Sequence, residues 1–124
     1  MSTADKPITI YHNPRCGKSR AALALLQQRG GALEVVEYLK QPLAKEELRA
    51  LVRKLKIKPE ELVRKGEQIY KERYEGKTLT DEQWLDALAR DPILMERPVV
   101  AHGDRAAIGR PPEKVLEILV NREW

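Results

Sequence analysis

The 124-residue sequence predicts an α/β fold, a small mixed four-stranded sheet flanked by helices with an inserted helical segment at approximately residues 43–91. Three observations carry that expectation. Short runs rich in β-branched residues lie near both ends, "ITIY" early and "PVVAHGDRAAI" late. A proline-free stretch of helical spacing separates the first two strand-like runs, which makes a β-α-β unit. The middle of the chain instead carries one-sided apolar stripes of helical period.

Each element has its own signal. Residues 7–11, "PITIY", suit a buried strand that Asn13-Pro14 ends. From 17 to 29, Ala22, Leu25 and Leu26 recur at helical spacing, and Gly30-Gly31 is the stop. Residues 32–39 alternate Leu33, Val35 and Glu37 against Glu34, Val36 and Tyr38, a second strand whose helical crossover is long enough for parallel pairing. After Pro42, Leu48, Leu51, Val52 and Leu55 fall at i, i+3, i+4 and i+7 of a helix. Pro59 opens a short helix, "PEELVRK", which Gly66 closes. Thr80 is placed as an N-cap, with Gln83 three residues on and Trp84, Leu85 and Leu88 as the apolar side. The stretch "RPVVAHGDRAAIGR" predicts an antiparallel hairpin around His102-Gly103-Asp104. Pro111-Pro112 starts a final helix with Val115, Leu116 and Leu119 inward. A cysteine opening the first helix, and late in the chain a proline-led strand and hairpin, make the arrangement of thioredoxin-like domains. Residues 1–124 read as one such domain.

Composition narrows the function classes. Apolar residues make up 42% and charged residues 34%, and no apolar run approaches the ~20 residues of a membrane helix, so no membrane span is expected. "MSTADKP" lacks the basic and apolar regions of a secretory signal, and the expected location is cytoplasmic. A lone cysteine, unable to form an internal bridge, agrees. The net charge of +4 raises nucleic acid as a partner, but the signs are interleaved, as in "KEELRALVRKLK", and aromatic content is only 5%. No nucleic-acid surface is expected. Two histidines and one cysteine are too few for a convincing metal site. No helix shows an apolar seam beyond its core stripe, and a monomer is expected.

The chemistry concentrates in "YHNPRCGKSR". With a helix starting at Gly17, Cys16 occupies the N-cap, where unpaired N–H groups and the positive end of the helix dipole favour a thiolate. That dipole alone lowers a thiol from about 8.5 to about 7 at best. His12, Arg15, Lys18 and Arg20 are available positive charges, and Ser19 is a hydroxyl donor in the first turn. A buried, inert thiol is the alternative, and the polar residues on both sides of Cys16 argue against it. His12 is open between thiol activation, general-base work and an ordinary loop hydrogen bond. A phosphate-binding loop ending in "GKS" would need glycine where His12 stands. A tyrosine-phosphatase-like loop would need arginine at position 22, which is alanine. A dithiol site would need cysteine at Ser19. Arg97 and Arg110 each precede proline, which biases them to extended backbone at strand ends. Forked oxyanion binding and a surface ion pair both remain open for them.

Over nearly the whole chain, from Ile8 to Leu119, the sequence resembles the arsenate reductase family that couples to glutathione and glutaredoxin, through "ITIYHNPRCGKSR", "ELVRKGE", "DPILMERPVV" and "AIGRPPEKVLEIL". Its length and "IGRPPE" block are similar to the short chromosomal members. The resemblance implies that Cys16 attacks arsenate, that His12 and Ser19 assist the thiolate, and that Arg64, Arg97 and Arg110 hold the oxyanion. Pro98 would be the cis-proline facing the active-site loop. Glutathione would act as co-substrate with no bound cofactor, and glutaredoxin would be the partner that resolves the intermediate. Two other activities fit the same fold, a monothiol glutaredoxin-like thiol exchanger and a Spx-type RNA polymerase-binding regulator. Ser19 removes the Cys-x-x-Cys switch that such regulators use.

Overall fold

The computed structural model describes residues 7–119, in two compact units. One is built from the chain up to Tyr38 together with the chain from Arg97 onward; the other is Leu39–Glu96.

The first unit holds the sheet. Strand β1 (Ile8–His12) leads into helix α1 (Gly17–Arg29), and the chain returns as β2 (Leu33–Glu37). After the second unit come β3 (Val99–His102), β4 (Arg105–Ile108) and a 3-10 helix over Pro112–Leu119. The strand order is β2-β1-β3-β4. β1 and β2 pair in parallel, as a helical crossover requires, with Ile8 opposite Leu33 and His12 opposite Glu37. β1 pairs antiparallel with β3, Tyr11 opposite Val99, and β3 forms the hairpin with β4. Gly103, with Asp104 between the hairpin strands, takes the left-handed φ of 65° that favours glycine in such a turn.

One face of this sheet is covered by α1 and the C-terminal 3-10 helix. Ile8, Ile10, Ala22, Leu26, Val100, Val115 and Ile118 form the buried cluster. The last helix departs from the expected pattern. It was expected to turn Val115, Leu116 and Leu119 inward, but Val115 and Ile118 are buried and Leu116 is exposed. A 3-10 helix repeats every three residues, so positions 115 and 118 stack on one edge and Leu116 rotates out. The Leu119 side chain lies outside the described residues. Strand β2 is also shorter than the predicted 32–39; it is a sheet edge, and Val35 on it is exposed.

Gly109, just after β4, is fixed by close approach. A Cβ there would stand 2.7 Å from Pro98 Cγ and 2.9 Å from Val115 Cγ1, and both of those side chains are buried. Its N–H donates to the Pro98 carbonyl at 2.8 Å, which holds the backbone in place. Gly109→Ala is therefore expected to destabilise the protein by about 1–3 kcal/mol through overpacking. The measurement is a urea titration, with a lower midpoint at unchanged slope; an unmoved midpoint would mean that the Pro98 ring yields freely.

The second unit is helical: α2 (Lys45–Leu55), a 3-10 turn (Pro59–Leu62), α3 (Gln68–Arg73), α4 (Asp81–Arg90) and a second 3-10 turn (Pro92–Leu94). On α2, Leu48, Leu51 and Val52 are buried as their spacing predicts. Thr80 caps α4 as expected, accepting from the Gln83 N–H at 3.2 Å while Gln83 Oε1 accepts from the Thr80 N–H at 2.9 Å. Lys45 on α2 pairs with Glu82 and Asp86 on α4 at 3.0 and 2.9 Å.

The helix predicted across "PEELVRK" stops early. It is a single 3-10 turn ending at Leu62, and Val63 is extended, bridged antiparallel to Met95. The Arg64 N–H donates to the Leu94 carbonyl and the Glu96 N–H to the Leu62 carbonyl, both at 2.7 Å. Arg64 thus follows the extended Val63 and lies outside the helical turn. No helix of the described residues is long and apolar enough to cross a membrane.

Candidate active site

The sheet register gathers the first unit's chemistry at one end. The end of β1 lies beside the start of β3, because Tyr11 faces Val99, and the end of β4 lies beside the same point, because Ile108 also faces Val99. The loop after β1, Arg97 before β3 and Arg110 after β4 therefore converge. The loop of an α/β unit at the carboxyl end of a parallel strand is where such folds place ligands.

The loop itself is a β-turn. The Cys16 N–H donates to the Asn13 carbonyl at 3.0 Å, with Pro14 in the position where its fixed φ suits a turn. Asn13 Oδ1 accepts from the Arg15 N–H at 2.9 Å, and Arg20 Nη1 donates to the Pro14 carbonyl at 2.9 Å. Cys16 then caps α1 with extended backbone, and its carbonyl accepts the first helical hydrogen bond, from the Arg20 N–H.

The thiol is partly exposed and unpaired with any other cysteine. Burial pushes its pKa up, but the backbone N–H of Ser19, the Arg97 guanidinium and the backbone N–H of Lys18 outweigh that, and the result lies below the ordinary cysteine value. The Cys16 side chain makes no formed cap hydrogen bond; these donors favour its charged form. Arg110 Nη1 donates to the Arg97 carbonyl at 3.0 Å, so the two Arg-Pro segments are tied together. Both Arg-Pro bonds are cis, Arg97-Pro98 as the resemblance implies and Arg110-Pro111 as well.

His12 is buried at the end of β1, with Nδ1 2.7 Å from Ser19 Oγ. Ser19 is fully buried and its Oγ also accepts from the Asn13 N–H at 3.0 Å. Of the three readings left open for His12, the hydrogen bond to Ser19 is the one the geometry displays. Burial holds its pKa below the usual histidine range, Glu37 opposes this and Arg20 reinforces it, so the ring is neutral at neutral pH. Its Nδ1 is engaged with the Ser19 hydroxyl. The Arg20 guanidinium, another candidate charge, is used on the Pro14 carbonyl.

Of the six residues singled out from the sequence, His12, Cys16, Ser19, Arg97 and Arg110 come together in the first unit. Arg64 belongs to the second unit, where its Nε lies 3.4 Å from Glu67 Oε2 and 3.8 Å from Glu96 Oε1. Asn13 was read from the sequence only as a strand stop, yet it organises the loop. The signal was present, since asparagine before proline marks the first position of a turn. Among the described residues, no group of three or more His, Cys, Asp or Glu could hold a metal ion.

Comparison with known proteins gives a consistent picture. The ArsC family model matches residues 11–118. The chain is 46% identical over 116 residues to YfgD, an uncharacterised protein of Escherichia coli K12, covering 92% of this chain and 98% of that one. It is 43% identical over 114 residues to an arsenate reductase of Neisseria meningitidis serogroup A, covering 90% of this chain and 97% of the relative. Among solved structures, the arsenate reductase from Vibrio cholerae superposes with a TM-score of 0.87 at 43% identity, covering 91% of this chain and 98% of the other.

Proposed function

The chain belongs to the ArsC family, and from that premise we propose that it is an arsenate reductase whose nucleophile is Cys16. The observation that carries the proposal is the thiol's setting. It sits at a helix N-cap, lowered by two backbone N–H groups and by a guanidinium that would also meet an incoming oxyanion. A thiolate already formed needs no separate base.

In this reading Arg97 and Arg110 receive the arsenate oxygens, and Arg64 is kept as a third oxyanion ligand on the strength of its motif. Neutral His12 holds Ser19, whose N–H supports the sulfur. Cys16 attacks arsenic and a hydroxyl departs as water, leaving a sulfur–arsenic(V) ester. Glutathione supplies the second thiol. The two sulfurs become a Cys16–glutathione disulfide, their two electrons reduce arsenic(V) to arsenic(III), and arsenite leaves. Arsenic acid, Cys16 thiol and glutathione thus give arsenous acid, the mixed disulfide and one water. With one cysteine in the chain, the disulfide must be resolved from outside, and glutaredoxin is the proposed partner. Such a cycle belongs in the cytoplasm, where glutathione keeps a lone thiol reduced. We also read the chain as a single thioredoxin-like domain into which the helical segment is inserted, because the first unit takes its residues from both sides of that segment.

The test is arsenite production from arsenate with glutathione, glutaredoxin, glutathione reductase and NADPH. Arsenate-dependent turnover that needs both glutathione and glutaredoxin is expected. Reduction of a glutathione mixed disulfide without any arsenate-dependent turnover would instead assign the protein to thiol exchange.

A further inference from the structure

We propose that Asn13 is a positioning residue for Cys16, holding the loop between β1 and α1 so that the cysteine stands at the helix N-cap. The inference rests on the reading of Cys16 as the nucleophile.

Three separate groups of Asn13 are engaged, each on a different part of the site. Its carbonyl accepts from the Cys16 N–H at 3.0 Å, which sets the cysteine's backbone. Its Oδ1 accepts from the Arg15 N–H at 2.9 Å, which closes the turn from the side-chain side. Its N–H donates to Ser19 Oγ at 3.0 Å, and the same oxygen lies 2.7 Å from His12 Nδ1. The residue is buried, 4% exposed, so these bonds are not exchanged freely for water. Strand end, turn, cysteine and first helical turn are thereby one hydrogen-bonded unit. Asn13 touches neither the sulfur nor any reacting atom, and it acts through the backbone that carries them.

The side-chain type follows from the charge. Aspartate forms the same turn as readily as asparagine. It would, however, place a carboxylate in a loop whose other groups favour an anion on Cys16, and a like charge at short range raises a thiol's pKa by about one unit or more. A neutral acceptor meets both needs.

Asn13→Asp and Asn13→Ser separate this role from simple turn formation. The readout is the pH dependence of Cys16 alkylation by iodoacetamide in the folded protein, with circular dichroism confirming the fold. Asn13→Asp is expected to keep the fold and to slow alkylation at pH 6 by roughly three- to tenfold, since a higher pKa lowers the thiolate fraction while each thiolate reacts somewhat faster. Asn13→Ser, a neutral and shorter acceptor, should lie between the two. Profiles for both variants that superimpose on that of the unaltered protein would overturn the proposal. So would an Asn13→Ser profile that superimposes on the unaltered one while Asn13→Asp alone is slowed, since the added charge and not the positioning would then be at work. This assay contains no arsenate, so it reads the loop even if the oxyanion chemistry proves wrong. Loss of arsenate turnover with an unchanged alkylation profile would count against Asn13 and leave the reductase reading standing.

Discussion

Cys16→Ser is expected to lower arsenite production by more than about 10³-fold, the scale of loss when a covalent nucleophile is removed. The loss should be one of chemistry and not of fold. Serine is a better N-cap than cysteine, so the start of α1 should be kept or slightly strengthened. The Ser19 and Lys18 N–H groups and the Arg97 guanidinium stay in place. What disappears is a group that these donors can hold as an anion near neutral pH, because a hydroxyl ionises far above the range they can shift it into. The variant should therefore fold, show an unchanged circular dichroism spectrum and melting temperature, and still bind arsenate. Turnover within about tenfold of the unaltered protein would mean that the sulfur does not attack arsenic.

No rescue from within the chain is expected, because it has no second cysteine to substitute. The same fact separates this protein from a self-contained dithiol switch. Position 19, where such a switch would carry its partner thiol, is a fully buried serine bonded to His12 and Asn13. A cysteine there would have to give up those two interactions.

The β-α-β start, the Thr80 cap and the hairpin at Gly103 were legible because each depends on local signals: a glycine stop, a capping pair, a two-residue turn. Cys16 was legible for the same reason, as an N-cap position follows from where the helix begins. The misses share a different cause. Residues 115, 116, 118 and 119 are all apolar, a pattern that fits both a 3.6- and a three-residue repeat, so the sequence cannot say that Leu116 turns outward. "PEELVRK" has good helical propensity, but pairing of Val63 with Met95, distant in the chain, overrides it and ends the turn before Arg64. The charge of His12 depends on burial, which spacing does not reveal. The convergence of Arg97 and Arg110 came from family likeness first; only the register of β1, β3 and β4 explains it physically.

The proposed function gives Arg97 two duties, and its variants should separate them. Its guanidinium lowers the thiol pKa, and under the proposed function the same cation would meet the arsenate oxygens. Arg97→Ala removes both. The thiol pKa then rises towards its ordinary value, which lies above neutral pH, so the alkylation curve moves to higher pH and less thiolate exists at pH 7. Arsenate turnover should fall by about 10²–10³-fold, the usual cost of losing one charge-stabilising donor from a reaction centre. The Arg110 bond goes to the Arg97 carbonyl, a backbone group that alanine retains, so the junction between the two Arg-Pro segments should persist and the loss should be chemical rather than structural. Arg97→Lys is the sharper probe. Lysine restores a positive charge near the sulfur but not the planar fork that matches two oxyanion oxygens. Its alkylation curve should return most of the way, while arsenate turnover stays depressed with a raised KM. If lysine instead restores both, the fork is unnecessary and charge alone suffices. If alanine moves neither the alkylation curve nor the turnover, Arg97 serves neither the thiolate nor the oxyanion.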